Sequence, residues 1–382
     1  MTATPDISRI KADLAALVGF DTQNPPGHEA EAGRYLADLL AREGFDASLS
    51  EYKAGRTNVI ARLERGPGPV FALNTHIDVV PVGDGWATDP LKLTERDGRL
   101  YGRGACDAKG PLASMIEALR MLKASPDWSG TLLAVFTADE EVASEGARHY
   151  AAGRPHVDFA VIGEPTSNAT ITAHKGSMRP LVCVHGRTAH SGTPHLGLNA
   201  IYEASKLIRM IEQHHEEAVS KRSHPLVGNA SLSITRIHGG HADNVIPDRC
   251  ELLLDRRMIP GEDETEAANE IRRLLDSAGR QGVRAEITEF RATTGGPTET
   301  ALDAPIVKAG IEASRRHGAV NPGPFGFQGG CDLVHFRTLG ATGIVVGPGD
   351  LGVAHKPDEF VPIDELGAAS LIYRDIALSL LG

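Results

Sequence analysis

At 382 residues the chain exceeds what one ordinary hydrophobic core holds, so two domains are expected. An apolar fraction of 41% argues against disorder, and a net charge of −11 leaves no basic footprint for nucleic acid. Four cysteines show no CxxC spacing and no disulfide framework, and point to reduced thiols in a cytosolic protein.

In chain order, residues 1–20 carry acids and bases throughout and lack the unbroken apolar run of a signal peptide. No later stretch reaches membrane-spanning length, so a cytoplasmic protein without a membrane partner is expected. Residues 30–43 read as an amphipathic helix ended by Gly44, and residues 111–122 as a helix with Pro111 at a tolerated early position. The apolar runs 70–74, 132–137 and 159–162 read as buried strands. Strands alternating with helices predict an α/β layer around a mainly parallel sheet. The middle reads strand 179–186, helix 200–214, strands 231–237 and 249–258, helix 264–278 and strand 283–290. That β-α-β-β-α-β order is the split βαβ unit of ferredoxin-like α+β domains. Helix 305–317, strand 343–346 and helix 363–381 restore the α/β character. The expected organisation is a discontinuous catalytic domain, residues 1–176 and 293–382, interrupted by a smaller domain at 177–292.

Ligands of open α/β sheets bind beyond the carboxyl ends of the strands. Metal-ligating residue types follow each predicted strand: His76 and Asp78, then Glu140 and Glu141, then Glu164, then His355, with Asp107 just ahead of a helix. Taken singly, each has an ordinary alternative. A carboxylate after a strand often caps a helix, most of the sixteen histidines are ordinary polar residues, and Glu-Glu doublets are usually solvated. Together, like charges at one sheet edge repel unless cations sit among them. A carboxylate and imidazole set suits zinc, or cobalt or manganese. Three acids and two histidines exceed one open tetrahedral zinc and suit two ions sharing a carboxylate. Asp78, two residues beyond His76, is placed to accept the other imidazole N–H. Glu140 and Glu141 point in different directions from extended backbone, so one can bind metal while the other reaches the attacking water as a general base.

These motifs resemble the M20 metallopeptidase family, near its acetylornithine deacetylase and succinyl-diaminopimelate desuccinylase branch. The matching segments are Asn74-Thr75-His76-Ile77-Asp78-Val79-Val80-Pro81, Tyr101-Gly102-Arg103-Gly104-Ala105-Cys106-Asp107-Ala108-Lys109-Gly110 and Thr137-Ala138-Asp139-Glu140-Glu141. Gly163-Glu164-Pro165-Thr166 and Ala354-His355-Lys356-Pro357-Asp358-Glu359-Phe360 follow in the family's order. The resemblance implies a di-zinc hydrolase of an amide bond, with a zinc-hydrolase catalytic domain and an inserted dimerisation domain. It implies that Asp107 bridges two ions, that His76 and Glu164 complete one site, and that Glu141 and His355 complete the other. Glu140 becomes the general base, Asp78 the partner of His76, and a cis peptide follows Asp107. Glu at position 164 is similar to the family's deacylases. In the inserted domain the resemblance implies that His190 stabilises the oxyanion in a partner subunit's site, and that Asn244 and Arg257 hold the substrate carboxylate.

One departure bears on specificity: Gly329-Gly330-Cys331-Asp332-Leu333-Val334 stands where several relatives carry a GGTDAR-like segment. The expected substrate is an N-acyl-L-amino acid, N-acetylornithine first. Desuccinylase, carboxypeptidase or dipeptidase, and non-catalytic metal or amino-acid binder are the alternatives. The glycines at 102 and 104 lack a full GxGxxG, and Asp107 would repel a phosphate there, which disfavours a nucleotide enzyme.

Overall fold

The computed structural model describes residues 4–382, which divide into two compact units. The first comprises residues up to Thr172, Glu299–Gly326 and Cys331–Gly382; the second comprises Ala173–Thr298 with Phe327–Gly330.

In the first unit the main sheet runs in the order Asp46–Lys53, Arg56–Arg65, Gly130–Thr137, Val70–His76, Phe159–Ile162, Thr342–Val345 and Ile171–His174. Its centre is parallel, from Gly130–Thr137 through Thr342–Val345. The flanking pairs are antiparallel, so the sheet is mixed around the parallel core that the sequence predicts. Burial explains the pattern: every residue of Gly130–Thr137 is buried, as expected of a strand covered on both faces. The helix Lys109–Ala124 packs against Ile363–Leu381, with Leu112, Ile116 and Leu119 joining Leu366, Ile372 and Tyr373 in one core cluster.

Register decides where the chemistry goes. His76 lies opposite Thr137, Asn74 opposite Ile162, and Ile162 opposite Val345. Four parallel strands therefore end together, and the residues just beyond them meet at one edge.

Several elements lie outside the predicted set. The helix Ile7–Gly19 is capped by Asp6, whose carboxylate accepts the N–H groups of Ser8 and Arg9. The hairpin Asp46–Lys53 and Arg56–Arg65 forms the sheet's outer margin; its first strand is largely polar and exposed, which erases the apolar signal. The helix Glu145–Ala152 has only 8 residues, too few for its periodicity to stand out in the sequence.

The second unit holds an antiparallel sheet ordered Ser231–Gly239, Arg249–Met258, Gly176–His185, Ala285–Arg291. The helices Ala200–Glu217 and Glu264–Arg280 complete the ferredoxin-like arrangement, capped by Asn199 and Asp263. Arg249–Met258 alternates strictly, burying Cys250, Leu252, Leu254, Arg256 and Met258. Buried Arg256 is neutralised by an ion pair with Glu262.

No helix among the described residues is long and apolar enough to cross a membrane. All four cysteines are buried and unbridged.

Candidate metal centre

His76 ends its strand, buried, with Nε2 at 3.1 Å from Asp107 Oδ1 and 4.0 Å from Glu164 Oε2. His355 approaches the other side of Asp107, with Nε2 at 3.3 Å from Oδ2 and 3.1 Å from Glu141 Oε2. The two oxygens of Asp107 are thus divided between two imidazoles, each accompanied by a glutamate. His355 holds a left-handed backbone at φ 64°, disfavoured for a residue with a side chain.

Asp107 is held from behind. Glu359 Oε1 accepts the backbone N–H of Cys106 at 2.9 Å and of Asp107 at 3.1 Å, while its other oxygen pairs with buried Arg103. The Asp107–Ala108 peptide is cis, as the resemblance implies.

Asp78 departs from its expected contact. His76 Nδ1 pairs with the backbone carbonyl of Asp78 at 2.8 Å, and the carboxylate stands 3.7 Å away. The carboxylate turns instead to a cluster of N–H donors. Oδ1 accepts from Glu140 N at 3.1 Å; Oδ2 accepts from Glu141 N at 3.3 Å and from Asn24 Nδ2 at 2.8 Å.

The electrostatics are lopsided. Burial first, and then neighbouring carboxylates (Glu164 for Glu140, Asp107 for Glu164), push the Glu140 and Glu164 carboxyls well above the usual range, and burial beside Asp107 raises Glu141. Asp332, buried and accepting from Thr137 Oγ1 at 2.7 Å, is pushed up to about 6 mainly by burial. Burial also opposes ionisation of Asp107, but hydrogen bonds with His355 and His76 outweigh it and hold the carboxyl low. The same contacts with Asp107 and Glu141 raise His355 to about 10.

These residues fit a pair of cations. His76, Glu140 and Glu164 offer ligand atoms within 4.8 Å of one another, and so do His76, Asp107 and Glu141. Glu140 Oε1 and Glu141 Oε1 are buried without hydrogen-bond partners, an arrangement that isolated carboxylates avoid and cations satisfy. Hard oxygen donors mixed with imidazole suit zinc, cobalt or manganese.

The remaining predicted residues lie in the second unit. His190 belongs to the two-residue strand Ala189–His190, opposite Val245, and its Nδ1 accepts from Gly192 N at 3.0 Å. The Asn244 carbonyl accepts from Ser191 N at 2.9 Å, so the fold brings His190 and Asn244 to neighbouring segments. Arg257 is paired with Asp255, Nε to Oδ1 at 2.7 Å.

Sequence reading overlooked Asn24, Arg56, Asp139, Asp332 and Glu359, all tied into this region. Asp139, Asp332 and Glu359 lie within the quoted motif segments. The Asn24-Pro25-Pro26-Gly27 turn was a further signal, because a stiff loop is a common way to fix a polar side chain.

Residues 72–379 match the model of peptidase family M20/M25/M40. The chain belongs to that family. It is an M20 metallohydrolase acting on amide bonds. Acetylornithine deacetylase of Vibrio vulnificus is 32% identical over 367 residues, covering 94% of this chain and 93% of that one. A probable succinyl-diaminopimelate desuccinylase of Staphylococcus epidermidis is 30% identical over 407 residues, covering 98% of each. Among solved structures, a tripeptidase of Staphylococcus aureus superposes with a TM-score of 0.80 at 22% identity, covering 99% of this chain and 100% of that one. A dinuclear metal binding peptidase from the M20 family of Bacillus subtilis superposes at 0.74 with 20% identity, covering 98% of each. In this chain the two candidate ligand groups share His76, and Asp107 stands between His76 and His355.

Proposed function

We propose that this M20 enzyme is a di-zinc deacylase that releases the acyl group from an N-acyl-L-amino acid, with N-acetylornithine the leading substrate. The observation that carries the reading is Asp107, whose two oxygens face two separate imidazole and carboxylate pairs. His76, Asp107 and Glu164 would hold one zinc; Asp107, Glu141 and His355 would hold the other. Cobalt or manganese would substitute. Zinc there supplies Lewis acidity toward the acyl carbonyl and makes nearby water more acidic.

Glu140 takes the proton from the attacking water and returns it to the leaving amine. Burial first, and then the neighbouring Glu164, raises its carboxyl well above the usual range, so the carboxyl holds a proton more readily than an exposed glutamate would. Asp78 holds Glu140 and Glu141 through their backbone N–H groups. The second unit, taken as an inserted domain over 177–292, would mediate a homodimer and bring His190 to the oxyanion of the partner's substrate. Asn244 and Arg257 would receive the substrate carboxylate, for which Arg257 must exchange its contact with Asp255.

Support for deacylation comes from relatives named acetylornithine deacetylase and from Glu rather than Asp at position 164. A desuccinylase is the second reading, favoured by the similarity to the Staphylococcus epidermidis protein. Zinc-reconstituted enzyme should release acetate from N-acetylornithine faster than succinate from N-succinyl-diaminopimelate or amino acids from dipeptides. Faster succinate or amino-acid release would transfer the assignment, and no turnover of any member would refute it.

A further inference from the structure

The turn that carries Glu140 is clamped from two sides, by Asp139 and by Asp78, and only Asp78 of the two also meets a candidate ligand, His76. Asp139, immediately before Glu140, is buried and holds a left-handed backbone at φ 71°. Aspartate is among the few residues with a side chain that visit that conformation, where its short carboxylate can hydrogen-bond locally. Here the Asp139 carboxylate is fully engaged: Oδ1 accepts from Asn24 Nδ2 at 2.9 Å and Arg56 Nη2 at 2.8 Å, and Oδ2 from Glu145 N at 3.2 Å. The next two residues are gripped from the other side, where Asp78 accepts the N–H groups of Glu140 and Glu141.

Asn24 joins the two grips. One amide hydrogen goes to Asp78 Oδ2 at 2.8 Å and the other to Asp139 Oδ1 at 2.9 Å. Because both partners are carboxylates, only the amide nitrogen can face them, and both of its donors are used. The side chain is buried, and its backbone N–H is anchored on the Val79 carbonyl at 2.8 Å. Charge makes the amide necessary. Asp139 and Glu29 share one guanidinium, Arg56, which binds Glu29 through Nε at 2.7 Å and Nη2 at 2.8 Å and Asp139 through Nη2 at 2.8 Å, while Asp78 lies outside that pairing. A neutral double donor bridges Asp78 and Asp139 without adding charge.

We propose that Asn24 is a positioning residue for Glu140: by tying Asp78 to Asp139 it fixes the backbone turn that aims the Glu140 carboxylate. The inference rests on the reading of Glu140 as the proton-transferring base. Misplacing a reacting group by about an ångström costs on the order of a hundredfold in rate, and removal of Asn24 should approach that figure.

The test uses the full zinc-loaded chain carrying Asn24→Ala, Glu140→Gln, or both, with kcat, KM, zinc per chain and the thermal midpoint measured for each. The expected result is a fall in kcat of roughly thirty- to a hundredfold for Asn24→Ala, with KM within about threefold and zinc content unchanged. On the Glu140→Gln background the same substitution should lower the residual rate by less than about twofold, because nothing remains to be aimed. Asn24→Ser, whose hydroxyl has one hydrogen for two carboxylates, should fall between wild type and Asn24→Ala, and it carries the test if the alanine variant does not fold. A loss equally deep on both backgrounds, or a loss that tracks departing zinc, overturns the proposal. If Glu140→Gln is inactive while Asn24→Ala matches wild type, only the role of Asn24 fails. If Glu140→Gln itself stays active, the base assignment fails and this inference with it.

Discussion

Asp107 and Glu140 sit in one cluster of carboxylates yet are driven in opposite directions. Hydrogen bonds with two histidines keep Asp107 ionised, whereas Glu140 has a buried oxygen with no partner. Glu140→Gln keeps the size and removes only the proton-transfer capacity. It should retain two zinc ions by elemental analysis while kcat drops by roughly a hundred- to ten-thousandfold. Asp107→Asn should behave differently. Loss of the shared negative charge should bring zinc below two per chain, and excess zinc in the assay should restore part of the lost rate. The candidate ligands were legible because each follows a strand end within a recognisable motif. The direction of the Asp78 carboxylate was not, because it answers to N–H groups 62 and 63 residues away in the chain. Asn24 was equally hidden, since its partners lie 54 and 115 residues away.

Among elements, the buried parallel strands and the long helices were legible, since continuous apolar runs and 3.6-residue periodicity survive in them. The outer hairpin and the Glu145–Ala152 helix were not, because tertiary contacts rather than local pattern decide them. That helix nonetheless braces the Glu140 turn. Gly146 lies so close that an added Cβ would stand 2.4 Å from both the Ala138 carbonyl oxygen and Asn58 Oδ1. Asn58 in turn accepts from Ala138 N at 3.1 Å and donates to the Gly146 carbonyl at 2.8 Å. Gly146→Ala should therefore destabilise the protein by about 1–3 kcal/mol in a denaturant titration and lower kcat as well. An unchanged midpoint would show that the helix has room to retreat.

For the whole molecule, bound metal and folding are linked. Converging carboxylates repel in the apoprotein, so ions that bind only the folded chain stabilise it by mass action. Chelation should lower the thermal midpoint by about 5 °C or more, and added zinc should restore both the midpoint and turnover. The position of Thr342–Val345 has another consequence. This strand, made long after both of its neighbours, is hydrogen-bonded between Phe159–Ile162 and Ile171–His174. A nascent chain that has left the ribosome only as far as residue 300 keeps an open edge in the middle of its main sheet, and it lacks His355. Unpaired edges of this kind recruit other chains. Chains that stop there should accordingly be sticky and metal-poor, so the segment beyond residue 300 governs whether the first half becomes an enzyme.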